Sequence, residues 1–173
     1  MIMIDILRKP TDEEWARCYA LAVGTEGKET VKVPSESWKH RILLAEHSPT
    51  RSLVWTIRLH GVPYYVSNHL VRHKLGVEWY VQSQRNDRQS NYDRTKAPQD
   101  APVMVTFEAN AQALINISRR RLCRKADVAT RDLWYMVCEE IIAEEPAMAG
   151  ILVPDCVYRG RCCEMYPCGE KEG

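Results

Sequence analysis

Apolar residues recur along the chain at two periods, which mark out strands and helices in irregular order. Residues 1–7 are rich in Met and Ile and suit a short strand. Thr11 and Glu14 have the spacing of a capping box, and Trp15, Cys18, Tyr19 and Ala22 then recur at helical spacing up to Gly24. A polar connector, 25–34, ends in Pro34. The next helix, about 35–46, begins near Ser35 and carries Trp38, Ile42 and Leu43. Leu53 to Leu59 is β-branched and aromatic and predicts a strand closed by His60-Gly61. Pro63 fits the first turn of a helix running to about His73.

Val77, Trp79 and Val81 alternate with polar positions, so 76–85 is expected to be extended. Residues 86–102 form a polar loop with two prolines, a length usually tied to function. Val103 to Phe107 predicts a strand. Helices follow at about Asn110–Leu122 and Ala126–Glu145, the second stopped by Pro146. The tail, 147–173, has little periodicity. Irregularly mixed strands and helices, with no internal repeat, predict one α+β domain over 1–173.

Composition narrows this picture. The 173 residues hold 24 basic and 23 acidic side chains, a net charge of +1, so no global charge points to nucleic acid or membrane. A chain of this size buries about 70 % of its unfolded surface. No apolar run approaches the ~20 residues that cross a bilayer, and the N-terminal MIMIDILRKP lacks a basic leader, so a cytoplasmic protein is expected. Seven cysteines in such a chain read as reduced thiols or metal ligands rather than a disulfide framework. One Phe against eight Tyr and five Trp hints at wet clefts or subunit surfaces.

Three segments carry candidate chemistry. In HLVRHKLGVEWYVQSQR, His69 is spaced to share a helical face with Arg72 and His73, and an extended stretch then presents Ser83, Gln84 and Arg85. Arg and Ser beside backbone N–H groups can hold phosphate; a solvated helix end is the plainer alternative. The run Arg119 to Lys125 has five cations in seven positions, suited to nucleic acid or to a helix C-terminus. Upstream, Asn110 and Asn116 are six apart and lie on different faces. Cys156, Cys162, Cys163 and Cys168 crowd the tail without a CxxC pair, and the five His show no HxH or HExxH, so no metal site is expected.

In order, these segments resemble the flavin-dependent thymidylate synthases. His47-Ser48-Pro49 leads through the strand LVWTIRLHGV into PYYVSNHLVRHK, with Arg72-His73-Lys74 at the place of the family's Arg-His-Arg and Ser83-Gln84-Arg85 at its Ser-x-Arg. ANAQALINISRRRLCRKA is similar to the family's helix with two spaced Asn. The tail Cys156-x3-Gly160-x-Cys162-x-Glu164-x3-Cys168-Gly169 is similar to the cysteine-bearing end of one subset.

The resemblance implies a homotetramer of α+β subunits with a mixed sheet and active sites between subunits. It implies methylation of dUMP to dTMP with FAD, NADPH and methylenetetrahydrofolate, reduced flavin supplying the hydride. By position, His47, Arg72, His73, Lys74, Asn110, Asn116 and Lys125 would bind flavin. His69, Ser83, Gln84 and Arg85 would hold the nucleotide, and Arg121 would meet the uracil edge as the catalytic residue. Membrane and nucleic acid are not expected partners.

The chain departs from the family pattern in places. Lys74 stands for an Arg and cannot copy its fork, Lys125 replaces a polar residue, and Asp127-Val128 replaces Gln-Trp. A helical segment between Ser-x-Arg and the Asn-bearing helix is missing. Those departures motivate one alternative, a flavin enzyme acting on another pyrimidine nucleotide; the basic run Arg119 to Lys125 motivates a second, a non-catalytic nucleotide- or nucleic-acid-binding relative.

Overall fold

The computed structural model describes residues 2–89 and 92–169. The chain runs β1 (Met3–Arg8), α1 (Asp12–Gly24), α2 (Glu36–Leu44), β2 (Val54–Pro63), α3 (Tyr64–Leu70), β3 (Val77–Val81), β4 (Pro102–Asn110), α4 (Ala111–Arg121), α5 (Val128–Glu144) and α6 (Asp155–Arg159). Short 3₁₀ turns cover Ser48–Ser52 and Pro146–Met148. The four strands form one sheet in the order β1-β2-β4-β3. The α+β class holds, and every pairing is antiparallel, so the expected mixed sheet resolves to a purely antiparallel one.

Strand alternation decides which face the helices cover. Trp55, Ile57 and Leu59 on β2 and Val103, Val105, Phe107 and Ala109 on β4 are buried. Ile57 stands opposite both Ile6 and Phe107, and Phe107 opposite Trp79. The Phe107 ring meets Trp79 at 4.8 Å and Trp134 of α5 at 5.9 Å, so aromatic packing joins the sheet to its helical layer. The other face is polar: Thr56 donates to Glu108 and Arg58 to Thr106. One buried and one wet face is the pattern antiparallel sheets permit.

Helix starts follow the sequence closely. Thr11 and Glu14 form the capping box, and Ser35 and Asp127 accept from Trp38 N and Thr130 N at the heads of α2 and α5. Ends follow it less well. α1 includes Gly24 and closes at Thr25, whose hydroxyl donates to the Ala22 carbonyl. β2 does not stop at His60-Gly61: Gly61, at φ 69°, shapes a bulge between Leu59 and Val62, and pairing resumes. α3 ends at Leu70 rather than His73: the His73 N–H donates only three residues back, to the Leu70 carbonyl, and the His69 carbonyl it would need accepts from Arg121 instead. The polar loop is anchored at its far end, where the Ala101 and Gln99 carbonyls accept the N–H groups of Tyr64 and Tyr65 that open α3.

Candidate functional site

The strongest convergence of predicted residues lies where α4 ends against α3. Arg121 closes α4. Its Nε donates to His73 Nε2 at 2.9 Å, and its Nη2 donates to the His69 carbonyl. Burial, then the charges of Arg121 and Arg120, push the His73 imidazole down to about 4. His73 is therefore neutral near pH 7, with an Nε2 lone pair free to accept from the guanidinium. Burial, with the charge of Arg72, also lowers Arg121 from its ordinary value. A guanidinium has five N–H donors, so two contacts leave three for a ligand. Arg72 and Lys74 are exposed beside this pair.

His69 ties the same place to α5. Its Nδ1 lies 2.8 Å from the hydroxyl of Thr130, which is fully buried and itself donates to Asp127 Oδ1 at 2.9 Å. The sequence reading gave Asp127 and Thr130 no part in a site. The Asp-x-x-Thr spacing at a helix start was the available signal, and it pointed only to capping.

Asn110 has a structural task beside this site. It caps α4 by accepting from Ala113 N at 2.9 Å, and its backbone N–H donates to the Gly76 carbonyl at 2.9 Å. Gly76, at φ 73°, lets the two segments touch: a Cβ there would lie 2.6 Å from Asn110 Nδ2.

Other predicted residues fall elsewhere in the subunit. Asn116 is exposed and accepts from Gln112, whose amide also donates to Glu46 at 2.6 Å. Glu46 pairs with Arg119, and the Arg119 guanidinium stacks 3.6 Å above the Tyr158 ring. Burial works against the Glu46 carboxylate, but hydrogen bonds from Arg119, Gln112 and Tyr158 outweigh it and lower its pKa. Neighbouring His47 lines a separate cleft of about 340 Å³ with Trp38, Arg41 and Ile42. Ser83, Gln84 and Arg85 lie past β3, and Arg85 is held by a bidentate pair to Asp87 at 2.9 and 2.6 Å. That pair is exposed and worth under about 1 kcal/mol, so a phosphate can displace it.

The basic run does not form one charged stripe. Arg119 turns to Glu46, Arg120 to Glu164 at 2.9 Å, and Arg121 to the histidines. Lys125 lines a pocket of about 40 Å³ with Cys123, Cys156, Cys162 and Cys168. Among the described residues no group of three His, Cys, Asp or Glu is placed to hold a metal ion, and no helix is long and apolar enough to cross a membrane.

No protein-family model matches the chain, and no curated protein matches it. Solved structures do. A UMP/dUMP methylase, PolB, from Streptomyces cacaoi bound with 5-Br dUMP superposes with a TM-score of 0.67 at 12 % identity, covering 87 % of this chain and 94 % of that one. Thymidylate synthase X from Helicobacter pylori with FAD and dUMP gives 0.66 at 12 % identity, over 91 % and 99 %. A second structure of that enzyme with FAD and dUMP gives 0.69 at 12 % identity, over 87 % and 99 %. The chain shares their fold.

Proposed function

We propose that this chain, built on the flavin-dependent thymidylate synthase fold, binds a pyrimidine nucleotide beside a flavin and methylates the uracil ring of dUMP. The observation that carries the reading is the meeting of Arg121 with His73 and His69, residues expected at one site from two separate stretches of sequence. FAD suits the donor set: its pyrophosphate is anionic, and Arg72 and Lys74 are exposed cations beside the pair. When bound, FAD supplies the hydride that the chain's own side chains cannot.

Arg121 is the group to oppose negative charge developing on the pyrimidine. It is half-buried, where a fixed cation is worth more than in water, and neutral His73 orients it without cancelling its charge. Ser83 and Arg85 are the phosphate ligands, with Arg85 exchanging Asp87 for the nucleotide. Within one subunit His47 and Asn116 share no hydrogen bond with Arg121, His73 or His69 among the described residues, which supports sites assembled from several copies, as a homotetramer would provide. NADPH and methylenetetrahydrofolate are the proposed hydride and one-carbon donors. The uridylate-methylating neighbour makes UMP the second substrate to try.

Purified protein should bind FAD, seen by absorbance and flavin fluorescence, and form dTMP from dUMP with NADPH and methylenetetrahydrofolate. Arg121→Ala should lower turnover by about a hundredfold or more while preserving the fold. Full turnover in that variant would remove Arg121 from the chemistry. Absence of FAD binding with and without dUMP would refute the enzymatic reading.

A further inference from the structure

The hydrogen-bond chain Asp127–Thr130–His69 is ordered from its anionic end, where the Thr130 hydroxyl donates to the Asp127 carboxylate, a stronger acceptor than an imidazole nitrogen. Asp127 is ionised near neutral pH. A backbone hydrogen bond from Thr130 lowers its carboxyl, burial opposes this, and the Thr130 side chain and His69 add to the lowering. Asp127 therefore has no proton to give and accepts from both Thr130 N at 3.0 Å and Thr130 Oγ1 at 2.9 Å. A hydroxyl has one hydrogen. With that hydrogen committed to Asp127, the Thr130 oxygen acts as an acceptor toward His69 Nδ1, 2.8 Å away. The proton on this contact belongs to the imidazole, so neutral His69 carries Nδ1–H and leaves Nε2 as a bare acceptor. The Thr130 side chain is fully buried, whereas the His69 ring keeps 29 % of its surface. Nε2 makes no hydrogen bond among the described residues, and the residue's own carbonyl accepts from Arg121.

We propose that Asp127 and Thr130 are positioning residues that fix His69 as its Nδ1–H tautomer, presenting Nε2 as an acceptor for an N–H or O–H of the bound pyrimidine nucleotide; the ligand half of this rests on the functional reading above. The logic is that of a histidine whose second nitrogen is set by the hydrogen bond made by the first. Because α5 begins at this pair, its first turn holds both the helix cap and the orientation of a site side chain.

The test is Thr130→Val, which removes the hydroxyl but keeps the backbone N–H that Asp127 caps, with Thr130→Ser as rescue. Nitrogen NMR of the ligand-free protein, above the imidazole titration, reads the tautomer directly; the His69 signal is identified by its loss in His69→Gln. Wild type and Thr130→Ser should show Nδ1 protonated. Thr130→Val should shift toward the Nε2–H form that free imidazole favours, and its dUMP Kd should rise about tenfold. Matched thermal melts exclude simple unfolding. A wild-type Nε2–H tautomer, or an unchanged tautomer in Thr130→Val, overturns the positioning role. A changed tautomer with unchanged dUMP affinity overturns the role toward ligand. A wild type that binds no dUMP refutes the functional reading and the ligand half with it, while the tautomer of the free protein still decides the positioning.

Discussion

Replacing Gly76 by Ala tests how the Arg72-His73-Lys74 corner is held to the start of α4. Two costs combine. Gly76 sits at φ 73°, where an L side chain costs about 1–2 kcal/mol. The new Cβ would also lie 2.6 Å from Asn110 Nδ2 and 2.9 Å from its Oδ1, so the amide must leave. That Oδ1 caps Ala113 N, and losing such a cap costs about 1 kcal/mol. Gly76→Ala should therefore destabilise by about 2–3 kcal/mol, readable as a lower urea midpoint at unchanged slope. Asn110→Ala alone should cost about 1 kcal/mol. The double variant decides the reasoning: with the amide already gone, Gly76→Ala should cost only the ~1–2 kcal/mol of backbone strain, leaving a coupling near 1 kcal/mol. Strict additivity, or a Gly76→Ala cost below about 0.5 kcal/mol, would refute the clash. The cycle needs no flavin, so it separates the capping task of Asn110 from any contact with cofactor.

Three further outcomes follow. His73 is held down to about 4 against an ordinary 6.5, so between those values the unfolded chain binds more protons and stability rises with pH. The urea midpoint should climb more steeply over that window in wild type than in His73→Gln, and equal slopes would refute the burial of a neutral imidazole. Burial raises the Cys18 and Cys138 thiols to about 11 and about 12; both should resist alkylation in the native state and react on unfolding, read by peptide mass spectrometry. Glu46→Gln leaves the mostly buried Arg119 charge without its carboxylate and should cost about 2 kcal/mol in chemical denaturation, with no loss expected if the pair is solvated.

Much of the architecture was legible in the sequence because it rests on local rules. The Thr11–Glu14 box, the Ser35 cap and the alternation of Val77, Trp79 and Val81 each depend on residues a few positions apart, and the structure keeps all of them. The candidate site was half legible. Arg121, His73 and His69 could be named from the resemblance, and they meet.

What the tertiary structure decided was direction and partnership. Three arginines in a row look alike in sequence, but helical rotation sends Arg119 to Glu46, Arg120 to Glu164 and Arg121 to His73. Asn110 reads as a ligand-binding amide until its cap and its contact with Gly76 appear. Asp127 and Thr130 read as a helix start, because only the packing of α3 on α5 brings His69, 61 positions away, against the hydroxyl. The sequence by itself determined the elements, since hydrophobic period and capping are properties of neighbours. The site's protonation and hydrogen bonding came from folding, since burial and long-range contacts set them and neither is written at a fixed spacing along the chain.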